Sequence, residues 1–455
     1  MSDTVVSGKT KILVIGQSTL HWGRVEFGNA GNYYVIEPFF RGLHSVAPHV
    51  VIRTTLQMSD SFCVKENVLC LPMNAYYGWT YSDFPKAIYE VISSFILRYT
   101  RIPLPKTRYM AEVLKADVVV DMSGDIWGDN ADLVGKHRFI IGLCKDILPT
   151  FLGTPAVMLA GSPGPFKKGL LKGLARKVFS KFRLVTNRDP ISTKLLREDN
   201  FDVSRVRDCA CPAFLFEGSS VSRGREIFRK ERLDVLERPV VGVVVCGWNM
   251  LKGPYGRWPR ADSEYQIFAD AISFMVETLG LHVFLISHSN GFEKDPQFKL
   301  IHGRDYQDAK RLYDVCHQGL CMDHVTLQQG IYLPADLKAM IGQMDMLVTG
   351  RVHASVAGLS QFIPTVIIDY GHEPKAHKLR GFAEVTGVSE YVADPAEGDD
   401  LKQKKEKCWN NRVAYREFLQ KKIPQVQALA RKNFDLLKNM ISQTNTSTPR
   451  DSSDS

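Results

Sequence analysis

The stretch MDMLVTGRVHASVAGLSQFIPTVIIDYG (344–371) decides the fold. Met346–Val348 is a short apolar run that passes into the polar Thr349-Gly350-Arg351. HASVAGLSQ (353–361) has helical spacing, and Pro364 precedes a second apolar run that ends at Asp369-Tyr370. Strand, helix and strand joined by such short connections form a right-handed parallel crossover unit. The same grammar extends in both directions. PADLKAMIGQ (334–343) reads as a helix, LHVFLISHS (281–289) as a strand, ADSEYQIFADAISFMVETLG (261–280) as a helix stopped by Gly280, and PVVGVVVCGW (239–248) as a strand. Towards the N-terminus, strands are expected in KILVIG (11–16), VLKADVVVDMSGDIWGDN (113–130), TPAVMLAGSPGPF (154–166) and RLVTNRDPISTKLLRE (183–198), the last opening a helix at Asp189-Pro190.

Between these runs, residues 215–238 are charged with few apolar anchors and read as the inter-domain linker and its flanking helix. The expected architecture is α/β: two Rossmann-like domains with parallel sheets facing a cleft, over 1–215 and 216–400. A helical extension over 401–442 can pack back on the first lobe, and the polar tail 443–455 is expected to be disordered. Ligands then meet the carboxyl ends of the strands, so the polar residues after each strand are the candidates for chemistry.

Composition agrees. The 455 residues are 44% hydrophobic, 24% charged and 10% aromatic, which excludes a disordered, collagenous or coiled-coil chain. Lys and Arg number 58 against 49 Asp and Glu, a net charge of +9 that asks for anionic partners. Nine cysteines without a paired spacing point to reduced thiols and a cytoplasmic compartment. Cys316, His317, Cys321 and His324 match no common zinc spacing, and no metal is expected. The first residues show no secretory apolar region, and the apolar stretch 139–161 is broken by Lys145, Asp146, Pro149 and Pro155, so no spanning helix is expected. FKKGLLKGLARKVFSKFRLVTNR (166–188) carries eight basic residues and no acid, with leucines and phenylalanines at helical spacing. It reads either as a domain helix with its polar face in water or, over 166–184, as a contact with an anionic membrane. No pattern of a nucleic-acid-binding module is present, and no nucleic-acid partner is expected.

Several strand-end residues could carry chemistry. Arg351 and His353 open a helix, where a guanidinium can fork onto a carboxylate or phosphate and an imidazole can move a proton. The loop after the following strand adds His372, Lys375, His377 and Lys378. Arg188 ends a strand before a helix, either as an anion ligand or in a salt bridge with Asp189. Gly16, Gly23, Gly28 and Gly31, with Asn29 and Asn32, make a glycine-rich turn without a dinucleotide fingerprint or a Walker loop. Asp125, after the strand at 117–121, reads as a base or as a helix cap.

In order and spacing these pieces resemble the polysaccharide pyruvyl transferase family. The resemblance runs from the first strand and N-x-G-N (29–32) through DVVVDMSGD (117–125), VTNRDPIS (185–192) and CPAF (211–214) to DMLVTGRVHASVAGLSQFIPTVIIDY (345–370) and KLRGF (378–382). It implies a fold similar to the two-domain B-type glycosyltransferases. It also implies transfer of the enolpyruvyl unit of phosphoenolpyruvate to a sugar diol of a glycan or its lipid-linked precursor. Arg188, His353 and Lys378 correspond to the donor site, with Lys375 a rival for the lysine, and Arg351 stands beside the catalytic histidine. Asn29, Asn32 and Asp125 fall on the acceptor side. Two positions there depart from the family's usual pattern: Asp125 replaces a glycine, and Asn32 an aspartate. No cofactor beyond the donor is implied. Two alternatives stand beside this reading: a nucleotide-sugar glycosyltransferase of similar fold, and a non-catalytic glycan-binding relative.

Overall fold

A computed structural model describes residues 9–17, 25–27, 29–78, 80–129, 137–167, 169–251, 257–293, 299–318, 322–369 and 376–447. The chain divides into two compact units. The first comprises Met1–Val25, Glu37–Cys211 and Leu429–Ser455, and the second comprises Glu26–Ile36 and Pro212–Ala428.

The first unit holds β1 (Thr10–Ile15), β2 (Val50–Thr54), β3 (Val68–Cys70), β4 (Val118–Asp121), β5 (Ala156–Gly161), β6 (Leu184–Asn187) and β7 (Val206–Asp208), in the order β3-β2-β1-β4-β5-β6-β7. Every pairing is parallel, with Leu13 of β1 opposite Val119 of β4. Helices cover both faces of such a sheet, and so the central strands are apolar throughout rather than alternating. β4 and β5 are buried along their whole length. The core beside the sheet is aromatic: Trp127 is fully buried, with Phe139 and Phe166 edge-on at 5.6 and 5.7 Å, and its Nε1 donates to Asp146 at 2.8 Å.

The second unit holds β8 (Val240–Val244), β9 (His282–Leu285), an antiparallel pair β10 (Asn290–Glu293) and β11 (Lys299–His302), then β12 (Val325–Leu327), β13 (Met346–Thr349), β14 (Thr365–Ile368) and β15 (Val392–Ala393). Its main sheet runs β12-β9-β8-β13-β14-β15, again all parallel. In each sheet the order reverses at one place, between β1 and β4 and between β8 and β13. The carboxyl ends of strands flanking such a reversal are where α/β proteins bind ligands.

The flanking helix expected within 215–238 is Val221–Lys230, and it belongs to the second unit. Two apolar anchors suffice: Ile227 and Phe228 are buried, and Gly224 lets the helix press against the backbone of Ala339. The tail is helical further than its composition suggests, because one helix runs Arg412–Ser447. Residues 448–455 lie outside the described residues. Beyond Leu429 this helix belongs to the first unit, where Phe434 packs edge-on to Phe39 at 6.0 Å.

Candidate active site

In the first unit the site grows from β6. Asn187 ends the strand, Arg188 follows, and Asp189 adopts extended backbone and caps the helix Pro190–Glu198 by accepting from Ser192 N at 2.7 Å. The Asp189 carboxylate is thus committed to the helix, and Arg188 turns elsewhere. Its Nε donates to Ser162 Oγ at 2.8 Å, and its terminal nitrogen lies 3.4 Å from Asp125 Oδ1. Ser162 in turn donates to Asp189 at 2.7 Å. Arg188 is 6% exposed, so its charge is held in place by partners rather than by water. Ser162 is delivered by an irregularity: the register of β5 against β6 shifts between Met158 and Gly161, and Ala160 sits at φ 52°. A bulge that re-aims a side chain near a strand end is a common device at sites. Gly124 (φ +61°) turns the chain between Ser123 and Asp125, and a Cβ there would lie 3.7 Å from the Arg188 guanidinium. Asp121, which ends β4, holds this turn by accepting from Ser123 N and Oγ at 2.9 and 2.7 Å.

In the second unit Arg351 follows β13 and precedes the helix Val352–Leu359. Its guanidinium forks onto both carboxylate oxygens of the buried Asp305, with Nε at 3.0 Å. The fork foreseen for a substrate anion is therefore occupied by a side chain. His353 is half-buried, with Phe382 edge-on at 6.3 Å. Gly31 packs directly on the imidazole, and a Cβ there would fall 2.5 Å from His353 Nδ1. Only glycine fits between the helix Ala30–His44 and the histidine. Lys378 stands one turn before Phe382 on the helix Ala376–Thr386, the spacing that shares a helix face. Asn29 accepts from Asn32 N at 3.0 Å, so its side chain serves the start of the helix Ala30–His44. Lys375, Tyr370, His372, Gly23, Gly28 and Cys321 lie outside the described residues.

Several residues of the second unit had no place in the motif reading. A pocket opens at the carboxyl ends of β8 and β13, lined by Trp248, Trp258, Arg304, Asp305, Asp308 and Arg351 among others. Trp258 is 43% exposed, and Asp308 accepts from Tyr265 Oη at 2.8 Å. Indole faces beside carboxylates and guanidinium groups suit a polar ring that offers C–H bonds to the aromatic surface and hydroxyls to the charged groups. His288, just beyond β9, is buried, with its ring edge-on to Tyr34 at 5.4 Å. Burial, then the neighbouring Arg351 charge, pushes its imidazole down to about 3. It is neutral wherever His353 would act. The signals were present in the sequence, a Trp four residues past β8 and a His after LIS, but neither falls in a motif. Cys209 and Cys211 are buried thiols, as read. Among the described residues no three His, Cys, Asp or Glu side chains are grouped to hold a metal.

Comparison with known proteins places this geometry. The chain is 22% identical over 400 residues to the amylovoran biosynthesis protein AmsJ of Erwinia amylovora, covering 84% of this chain and 88% of that one. Among solved structures it is similar to a glycosyltransferase from Rickettsia africae (TM-score 0.58, 12% identity, 96% of this chain and all of that one). It is also similar to HepE of Anabaena in complex with UDP and glucose (TM-score 0.54, 13% identity, the same coverage). At these identities the structures share the fold, that of glycosyltransferases with two Rossmann-like domains. The polysaccharide pyruvyl transferase family model matches residues 55–372, a span that includes Asp125, Arg188, Arg351 and His353 and leaves Asn29, Asn32, Lys375 and Lys378 outside. By that match, with the strand-end arginines and the histidine held as described, the chain belongs to the polysaccharide pyruvyl transferase family.

Proposed function

We propose that this protein transfers the enolpyruvyl unit of phosphoenolpyruvate to two hydroxyls of a sugar in a polysaccharide or its lipid-linked precursor, leaving a cyclic pyruvate ketal and inorganic phosphate. The observation that carries the reading is Arg188: a buried guanidinium at the carboxyl end of a parallel strand, braced by Ser162 and Asp125. Family membership and a relative named for amylovoran biosynthesis support a glycan as acceptor.

The donor carries a carboxylate and a phosphate close together, so it needs fixed cations. Arg188 and Lys378 serve as its ligands, with Lys375 as the second lysine. The methylene carbon gains a proton, which makes the adjacent carbon electrophilic. One sugar hydroxyl adds to that carbon and gives up its proton. The C–O bond to phosphate then breaks, phosphate leaves with the electron pair, and the second hydroxyl closes the ring as it loses its proton. His353 is the group for these proton transfers, its ring kept in place by Gly31 and Phe382. Arg351, tied to Asp305, orients the turn that carries His353. The Trp248 and Trp258 pocket receives the acceptor ring. Three guanidinium groups line it (Arg257, Arg304 and Arg351) against two carboxylates, a near balance that favours a neutral sugar over a diphosphate. The reaction as written is complete with donor and acceptor and draws on no further cofactor.

The test is incubation with phosphoenolpyruvate and a panel of aryl glycosides, read by mass for gain of one pyruvate and by phosphate release. His353→Ala should abolish transfer. Gly31→Ala, which displaces the imidazole, should lower it by about 100-fold. Full activity of His353→Ala would sink the assignment, as would thermal stabilisation by a nucleotide sugar but not by phosphoenolpyruvate.

A further inference from the structure

The helix Asp83–Thr100 of the first unit is built inside out. The side chains it buries are Asp83, Ala87, Glu90, Ser93 and Ser94. Facing outwards are Phe84, Ile88, Ile92, Phe95 and Tyr99, between 36% and 67% exposed. These five recur at the three- and four-residue steps that place them in one stripe along the helix. The inward carboxylates are paired: Glu90 pairs with Lys145 and accepts from Thr107 Oγ1 at 2.6 Å, and Asp83 pairs with Arg138 at 2.8 Å. The fold therefore spends its polar contacts on the inside of this helix and leaves the apolar side uncovered. The stripe is ordered by its own rings, with Phe95 4.5 Å from Tyr99 and 5.6 Å from Phe151, and Ile102, 56% exposed, extends it.

A second helix, Gly169–Phe179, packs like the first against Arg138–Leu152. It buries Ala175, Val178 and Phe179, and leaves Leu170 94% and Leu174 40% exposed. Exposed bases flank both helices: Arg98, Arg101, Lys106 and Arg108 beside the first, Lys167, Lys177, Lys181 and Arg183 beside the second. Between 84 and 108 the one acidic residue is the buried Glu90, and between 166 and 188 there is none. A second copy of this chain would bring the same positive face against itself, because a two-fold contact is self-complementary. An anionic lipid surface satisfies both features at once: acyl chains take the aromatic and aliphatic stripe, and headgroup phosphates take the lysines and arginines.

We propose that this face of the first unit, the outer sides of Asp83–Thr100 and Gly169–Phe179, seats the protein on an anionic membrane surface. The proposal stands apart from the pyruvyl transfer reading. The basic helix foreseen in the sequence supplies the charge, and the inverted helix supplies the apolar contact.

The full chain is sedimented with vesicles of phosphatidylcholine containing phosphatidylglycerol, and with phosphatidylcholine alone, at low and high salt. It should pellet with the anionic vesicles at low salt and be released at high salt. Lys177→Glu with Lys181→Glu should weaken binding at least about fivefold per charge lost. Ile92→Ser, Phe95→Ser and Tyr99→Ser together should abolish binding with the melting midpoint kept. Should that triple variant misfold, Phe95→Ser alone, beside the charge reversal, serves the same purpose. Absence of pelleting with anionic vesicles at low salt overturns the proposal, and so does undiminished pelleting of both sets of variants. A dimer in size exclusion that the apolar variants turn into a monomer, with vesicle binding unchanged, assigns the face to a second copy instead.

Discussion

His288 illustrates what a single buried residue does to the molecule as a whole. Its ordinary value is 6.5, and burial with the Arg351 charge lowers it to about 3 in the folded protein. The unfolded chain therefore takes up a proton that the folded chain refuses once pH falls below 6.5. Stability is whole above that pH and is lost steadily down to about 3, by about 2 kcal/mol at pH 5. Asp121, raised by burial from its ordinary 3.8 to about 6, works in the opposite direction between those two values. Comparing His288→Gln with the native chain isolates the histidine: urea unfolding at pH 7.5 and pH 5 should show a smaller acid loss in the variant by about that amount. Equal losses would remove His288 from the account. At this scale the sequence was legible where a residue type and its place after a strand sufficed, as for Arg188 and His353. Beyond the neighbouring Asp189 offered to Arg188, it gave no pairing. That Asp189 caps a helix while Asp125 approaches Arg188, and that Arg351 forks onto Asp305, depends on residues 63 and 46 positions apart, brought together by the sheets.

At the scale of elements, the central strands and the helices between them were readable because parallel strands buried on both faces form unbroken apolar runs. The short strands β2, β3, β7, β12 and β15 were not read, since two to five residues carry too little pattern to separate from a loop. Helix Val221–Lys230 was legible as a helix flanking the linker, but its charge conceals a close contact. Gly224 makes that contact, and a Cβ there would fall 2.6 Å from Ala339 O, a backbone atom that cannot swing away. Gly224→Ala gains about 1 kcal/mol of helix propensity but incurs about 1–3 kcal/mol of overpacking, so it should lower the melting midpoint. Gly173→Ala, in a helix where nothing lies within 4 Å, should raise it by the equivalent of about 0.4–1 kcal/mol. Scanning calorimetry of the two variants tests both signs, and a stabilised Gly224→Ala would refute the packing argument. The helix Asp83–Thr100 shows the other limit of a sequence reading. Its apolar stripe has ordinary spacing, and the residues alone do not say which side the sheet covers.

At the scale of the whole molecule, the division into two units was visible as two runs of alternation, and so was the return of a C-terminal helix to the first; the crossing of Glu26–Ile36 into the second was not. The helix Arg412–Ser447 begins in the second unit and ends in the first, where Asn433 anchors it. Its Oδ1 accepts from Thr186 Oγ1 at 2.5 Å, and its Nδ2 donates to Ala210 O at 2.9 Å, tying the helix to β6 and to the loop after β7. Asn433→Ala leaves both groups buried without their partner, at about 1–3 kcal/mol each. Calorimetry should show the transition of the first unit displaced downwards and that of the second unmoved; an equal displacement of both would contradict the assignment of 429–447 to the first unit. The interleaving also sets an order of completion during synthesis. Domains ordinarily fold as they emerge, the N-terminal one first. Here the first unit lacks Asn433, the partner of Thr186 and Ala210, until after Ala428 is made, whereas the second has all its residues at that point. The unit whose sheet comes later in the sequence is thus the first to be complete on the ribosome.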